Sequence, residues 1–100
     1  MTFDAHFPFR GQKALVTGAS SGIGTAIATA FGTAGAATGV NYRSNPEEAE
    51  RIVEAIYDAG SEAMALKADV ASEDEVRTMF DAFGDAFGRI DILVANSGIQ

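Results

Sequence analysis

Short apolar runs alternate along this chain with stretches of helical periodicity. Lys13 to Thr17 (Lys-Ala-Leu-Val-Thr) is a nearly continuous apolar run ending in a glycine cluster, the pattern of a parallel strand buried on both faces. Ile23, Ile27 and Phe31 then recur at helical spacing with alanines between them, until Gly32 and Gly35 stop the pattern. Ala36 to Tyr42 reads as a second, weaker strand, because Gly39 packs no side chain. Asn45 as cap, Pro46 at the first helical position and Glu47 and Glu48 in the first turn predict a helix start. Its stripe of Ala49, Ile52, Val53, Ile56 and Tyr57 ends at Gly60.

Glu62 to Ala68 alternates loosely and reads as a third strand from its place between two helices. Ser72 with Glu75 predicts a capping box, and Val76, Met79, Phe80, Phe83 and Phe87 line one face of a helix closed by Gly88. Ile90 to Ala95 is the fourth strand, followed by a turn at Asn96-Ser97-Gly98. Strands alternating with helices over short connections imply right-handed βαβ units, hence an α/β fold with a doubly wound parallel sheet. Such sheets bind ligands at the carboxyl ends of their strands.

Composition narrows the chemistry. With 100 residues the chain has room for one domain, residues 1–100, at the usual ~100–150 residues each. Acidic residues outnumber basic ones 14 to 7, a net charge of −7 that repels nucleic acid and anionic membranes. Without cysteine there is no disulfide framework, thiolate metal site or cysteine nucleophile, which suits a reducing cytoplasm. The first ten residues carry Asp4 and lack a basic segment ahead of an apolar run, so no secretory signal is expected. No stretch approaches the ~20 apolar residues of a membrane span. His6 stands alone, so no metal site is expected. Phe3, Phe7 and Phe9 are expected to clamp the N-terminal segment onto the domain.

The end of the first strand is the most informative. Thr17-Gly18-Ala19-Ser20-Ser21-Gly22-Ile23-Gly24 opens directly into a helix. Glycines serve where the chain turns tightly, where backbone approaches a ligand and where helix must lie close on strand, and the free N–H groups at the helix start attract phosphate. A packing turn would use the same residues, but the βαβ setting favours a pyrophosphate site. At the second strand end, an NAD site usually supplies a carboxylate ~20 residues past the loop, whereas an NADP site omits it and offers arginine. Here stand Asn41, Tyr42, Arg43 and Ser44, with no acid until Glu47. Arg43 and Ser44 would meet a 2′-phosphate, so NADP is the expected cofactor, with NAD possible.

The Thr-Gly-x-x-x-Gly-Ile-Gly spacing resembles the cofactor loop of the short-chain dehydrogenase/reductase family. Val40-Asn41-Tyr42-Arg43-Ser44 and Ala68-Asp69-Val70 look most like bacterial glucose 1-dehydrogenases and ketoacyl reductases within it. The resemblance implies a Rossmann-type sheet of strand order 3-2-1-4. It also implies that Asp69 accepts a hydrogen bond from the adenine amino group, with the Val70 backbone facing the ring. Ala95-Asn96-Ser97-Gly98 occupies the place of the family's Asn-Asn-Ala-Gly; Asn96 and Gly98 match, whereas Ala95 lacks the side-chain hydrogen bonds of the first asparagine. Many NADP-preferring relatives carry a basic residue at the place of Ser21.

Hydride transfer to a carbonyl also needs a positioned acid/base. In the family this is a tyrosine four residues before a lysine, with a serine and a further asparagine, beyond the fourth strand. The tyrosines here, Tyr42 and Tyr57, are followed four residues later by Pro46 and Ser61, so no catalytic residue is assigned. The expectation is the cofactor-binding half of an NADP-dependent short-chain oxidoreductase, truncated before its catalytic half and inactive alone. The complete enzyme would take a small carbonyl or alcohol substrate and form a homo-oligomer. A nucleotide-binding module without turnover, a non-binding fragment that needs a partner chain, and more distantly a methyltransferase are the alternatives.

Overall fold

The computed structural model describes residues 8–19 and 22–96. Among the described residues seven elements follow one another: β1 (Lys13–Thr17), α1 (Gly22–Thr33), β2 (Ala37–Tyr42), α2 (Pro46–Asp58), β3 (Ala63–Lys67), α3 (Glu73–Phe87) and β4 (Ile92–Ala95). All strand pairings are parallel, in the order β3-β2-β1-β4 that the family resemblance implies. The chain steps outward from β1 to β3, then α3 returns it across the sheet to place β4 on the far side of β1. Because crossovers are right-handed, that reversal puts α3 on the opposite face from α1 and α2.

Two apolar clusters result. Val16, Ala28, Val40, Ile52 and Ile56 fill the space under α1 and α2, and Leu15, Leu66, Met79 and Phe83 fill the space under α3. β1 feeds both, Leu15 to one face and Val16 to the other, which is why its run is continuously apolar. Gly39, the weak point of β2 in sequence, has a packing role. A Cβ there would come within 2.7 Å of the Phe83 ring and 2.9 Å of Leu15, so glycine lets α3 lie close on the sheet.

The helix starts follow their local signals, with one difference. Asn45 Oδ1 accepts from the Glu48 N–H at 3.2 Å, with Pro46 opening α2. Ser72 Oγ accepts from the Glu75 N–H at 3.3 Å, but the Glu75 carboxylate does not complete a capping box. It accepts from the Asp69 N–H at 3.0 Å, because the Ser72 N–H is already donated to the Asp69 carbonyl at 2.9 Å. Phe9 is anchored as expected, its N–H bonded to the Ala34 carbonyl and its ring 5.1 Å from that of Phe31. Phe3, His6 and Phe7 lie outside the described residues.

β4 begins at Ile92 rather than Ile90 because Asp91 makes the link to β1. Its N–H donates to the Lys13 carbonyl at 2.8 Å, and its Oδ2 accepts the Lys13 N–H at 2.8 Å. The hydrogen bond from Arg89, followed by the Lys13 N–H and the Arg89 charge, outweighs desolvation and holds the Asp91 carboxyl below the usual carboxylate range. A depressed folded pKa means that the link stabilises the fold above the unfolded value of ~3.9 and fades as pH falls through the lower folded value. Asp91→Asn is therefore expected to melt below the parent at pH 7, and thermal unfolding followed by circular dichroism should show that gap narrowing below about pH 4.

Candidate functional site

The loop after β1 is tied to the strands on both of its sides. Gly18 has φ 63° and Gly22 φ 50°, left-handed values that a side chain disfavours, and they bracket the turn into α1. The Gly18 N–H donates to Asn41 Oδ1 at 3.0 Å, and the Gly18 carbonyl accepts from Asn96 Nδ2 at 3.2 Å. The Ala19 N–H donates to the Asn41 carbonyl at 2.9 Å. Both polar groups of Gly18 are thus held by asparagines from β2 and from the residue after β4. Ser20 and Ser21 lie outside the described residues, as do Ser97 and Gly98.

Asn41 is the residue that sequence reasoning passes over. It is 2% exposed, and its Nδ2 donates to the carbonyls of Leu66 (3.0 Å) and Ala68 (3.2 Å) while Oδ1 holds Gly18. One side chain therefore fastens the ends of β1, β2 and β3 together. The available signal was a polar residue near the end of a buried strand, which must find partners inside the protein. Asn96 is secured in turn: its N–H donates to Thr17 Oγ1 at 3.1 Å, and that hydroxyl donates to the Val94 carbonyl at 3.3 Å.

Gly24 faces the same loop. A Cβ there would overlap the Gly18 carbonyl oxygen and lie 2.7 Å from Asn96 Nδ2, so α1 packs directly on the loop backbone. Among the described residues, a Cβ on Gly22 would meet nothing within 4 Å. The first turns of α2 and α3 carry Glu47 and Glu48, and Glu73, Asp74 and Glu75, but that of α1 carries no acid. Among the described residues no acid in its own first turn offsets the positive end of α1, an arrangement that fits a phosphate.

At the end of β2, Tyr42 is half-buried against the α1/α2 cluster, while Arg43 and Ser44 are exposed. The Arg43 side chain is 78% exposed, with Nε 3.7 Å from Asp69 Oδ2 at the end of β3. Asp69 is itself fixed, its Oδ1 accepting the Ala71 N–H at 2.9 Å. Ile23 (65% exposed) and Val70 (42%) present apolar side chains at the carboxyl edge. The structure thus joins Gly18 with Asn41 and Asn96, and Arg43 with Asp69. Beside them lies an apolar groove of about 260 Å³ against Val76, Met79 and Phe80 of α3 and Leu93 and Ala95 of β4. Among the described residues no group of three or more His, Cys, Asp or Glu is placed to hold a metal ion, and no helix is long and apolar enough to cross a membrane.

Fold and strand-end chemistry define a Rossmann-type α/β protein. The family model described as short chain dehydrogenase matches residues 12–100, and the chain belongs to that family of oxidoreductases. It is 46% identical over 96 residues to a short-chain dehydrogenase/reductase of Pestalotiopsis microspora, covering 94% of this chain and 36% of that relative. It is 42% identical over 99 residues to a versicolorin reductase of Emericella nidulans, covering 99% and 38%. Among solved structures, a short chain dehydrogenase from Burkholderia cenocepacia in complex with NADP superposes with a TM-score of 0.81 at 41% identity, covering 85% of this chain and 35% of that one. The chain spans little more than a third of the length of these relatives. They do not single out the glucose 1-dehydrogenase or ketoacyl reductase branch.

Proposed function

We propose that this chain is the NADP-binding part of a short-chain oxidoreductase that moves a hydride between nicotinamide and a small carbonyl or alcohol substrate. The pyrophosphate would lie over Gly22, Ile23 and Gly24 with Gly18, Ser20 and Ser21 shaping the turn. The 2′-phosphate would meet Arg43 and Ser44 beside Tyr42. Asp69 and Val70 would receive the adenine, and Asn96, Ser97 and Gly98 would approach the rest of the cofactor. The observation that carries the cofactor choice is the exposed Arg43 guanidinium at the end of β2, where an NAD site holds a carboxylate. When bound, the nicotinamide supplies or accepts the hydride; these residues hold and orient the dinucleotide.

The acid/base for the reaction would come from a catalytic half outside residues 1–100, leaving this domain without turnover alone. The apolar groove supports that assignment. The handedness rule lays a helix following β4 on the face of α3, where Leu93 is 52% exposed. The lack of cysteine favours a cytoplasmic location, and the acidic charge argues against nucleic-acid partners.

Titration of NADPH and NADH, followed by nicotinamide fluorescence, tests the cofactor assignment. Arg43→Ala should weaken NADPH about tenfold or more, the size of one lost charge-assisted hydrogen bond, with little change for NADH. An unchanged NADPH affinity would overturn the choice of NADP.

A further inference from the structure

The charges at the ends of β2 and β3 are paired with one another. Arg43 Nε lies 3.7 Å from Asp69 Oδ2, and among the described residues Asp69 is the carboxylate paired with it. Asp69 is not free to turn away. Its Oδ1 accepts the Ala71 N–H at 2.9 Å, and its own N–H is donated to the Glu75 carboxylate at 3.0 Å, which leaves Oδ2 beside the guanidinium. We propose that Asp69 is a specificity-determining residue that competes with a ribose 2′-phosphate for Arg43 and so limits the preference for NADP over NAD.

The proposal rests on Arg43 as the phosphate-binding residue. One guanidinium charge cannot neutralise both a carboxylate and a phosphate dianion. An arriving 2′-phosphate must therefore displace the carboxylate from Arg43 or share the guanidinium with it, which weakens its binding. A nucleotide with a free 2′-hydroxyl does not meet that penalty. The pair is solvent-exposed, so the effect is modest and screened by salt.

The probes are 2′,5′-ADP and 5′-AMP, which differ at the 2′ position and need only the adenosine end of the site. Their dissociation constants would be measured by calorimetry at low salt on the parent chain, Asp69→Asn, Arg43→Ala and the double variant. Asparagine keeps an oxygen for the Ala71 N–H, and any loss common to both nucleotides cancels in the ratio of affinities. That ratio, 2′,5′-ADP over 5′-AMP, should rise about two- to fivefold in Asp69→Asn, and Asp69→Ser should reproduce the rise. In the Arg43→Ala background the rise should largely disappear. An unchanged or lower ratio in Asp69→Asn overturns the competition, as does an equal rise without Arg43, which would mean that Asp69 acts on the phosphate directly. A parent ratio that survives Arg43→Ala overturns instead the assignment of Arg43. Failure of the parent to bind either nucleotide overturns the adenosine site, and the competition with it.

Discussion

Asn41→Leu is expected to be among the most damaging single changes in this domain, lowering its stability by about 3–5 kcal/mol and its melting temperature by roughly 15–30 °C. The leucine is similar in size and belongs on a strand, so the loss comes from what asparagine leaves behind. The Gly18 N–H and the Ala68 carbonyl lose their side-chain partner, and the Leu66 carbonyl, which the strand register also pairs with β2, loses a second donor, all around a side chain 2% exposed. Each buried group so stranded costs about 1–3 kcal/mol. Thermal unfolding measures the effect, and a change below about 1 kcal/mol would show that the three strand ends do not depend on Asn41. Asn41→Asp sharpens the point. Its carboxylate would keep the Gly18 N–H but turn an anionic oxygen toward two carbonyls. Burial and those carbonyls would raise its folded pKa, so the penalty is full above that pKa and eases as pH falls through it. The melting temperature of Asn41→Asp should therefore rise between pH 8 and pH 5.

Gly24→Ala is the second change with a large expected effect. The added methyl would collide with the Gly18 carbonyl oxygen and crowd Asn96 Nδ2, and backbone cannot swing aside as a long side chain can. Overpacking of this kind costs about 1–3 kcal/mol, here toward the upper end, because relief requires α1 to move off the loop. That movement displaces the N–H groups at the start of α1, so NADPH binding should be lost together with stability. Gly39→Ala provides the contrast. Its neighbours are the side chains of Phe83 and Leu15, far from the carboxyl edge, so it should lower the melting temperature while leaving any binding by the folded protein intact. Equal NADPH affinity in Gly24→Ala and the parent would remove the loop from the site.

What could be read from the chain depended on the range of the interactions involved. The start of α2 was legible to the residue because Asn45, Pro46 and Glu48 settle it among themselves. The parallel pairing followed from the alternation of elements and the strand order from the resemblance of the glycine loop, and the sheet has both. The first residue of β4 was not legible, because the link at Asp91 reaches to Lys13. Glu75 misled for the same reason. Its spacing from Ser72 matches a capping box, but the competing Asp69 N–H is brought close by a turn the pattern does not encode. In the site, Gly18, Gly22, Gly24 and Arg43 could be singled out because their residue types are diagnostic of close approach or of charge. Asn41 could not, since an asparagine in a strand announces its importance only once its three partners surround it.

The hold of Asn96 on Gly18 also has a consequence for the order of assembly. β1, α1, β2, α2 and β3 are each joined to their neighbours by short connections, whereas the contact between Gly18 and Asn96 closes across 78 positions. Contacts of such separation carry the largest loop-closure entropy and form late. As the protein emerges from the ribosome, β1 can pair with β2, and Asn41 can grip Gly18, while β4 is still inside the exit tunnel. The carbonyl side of the turn is secured only after residue 96 is synthesised and β4 docks. The turn that opens the fold is thus among the last parts of it to become rigid.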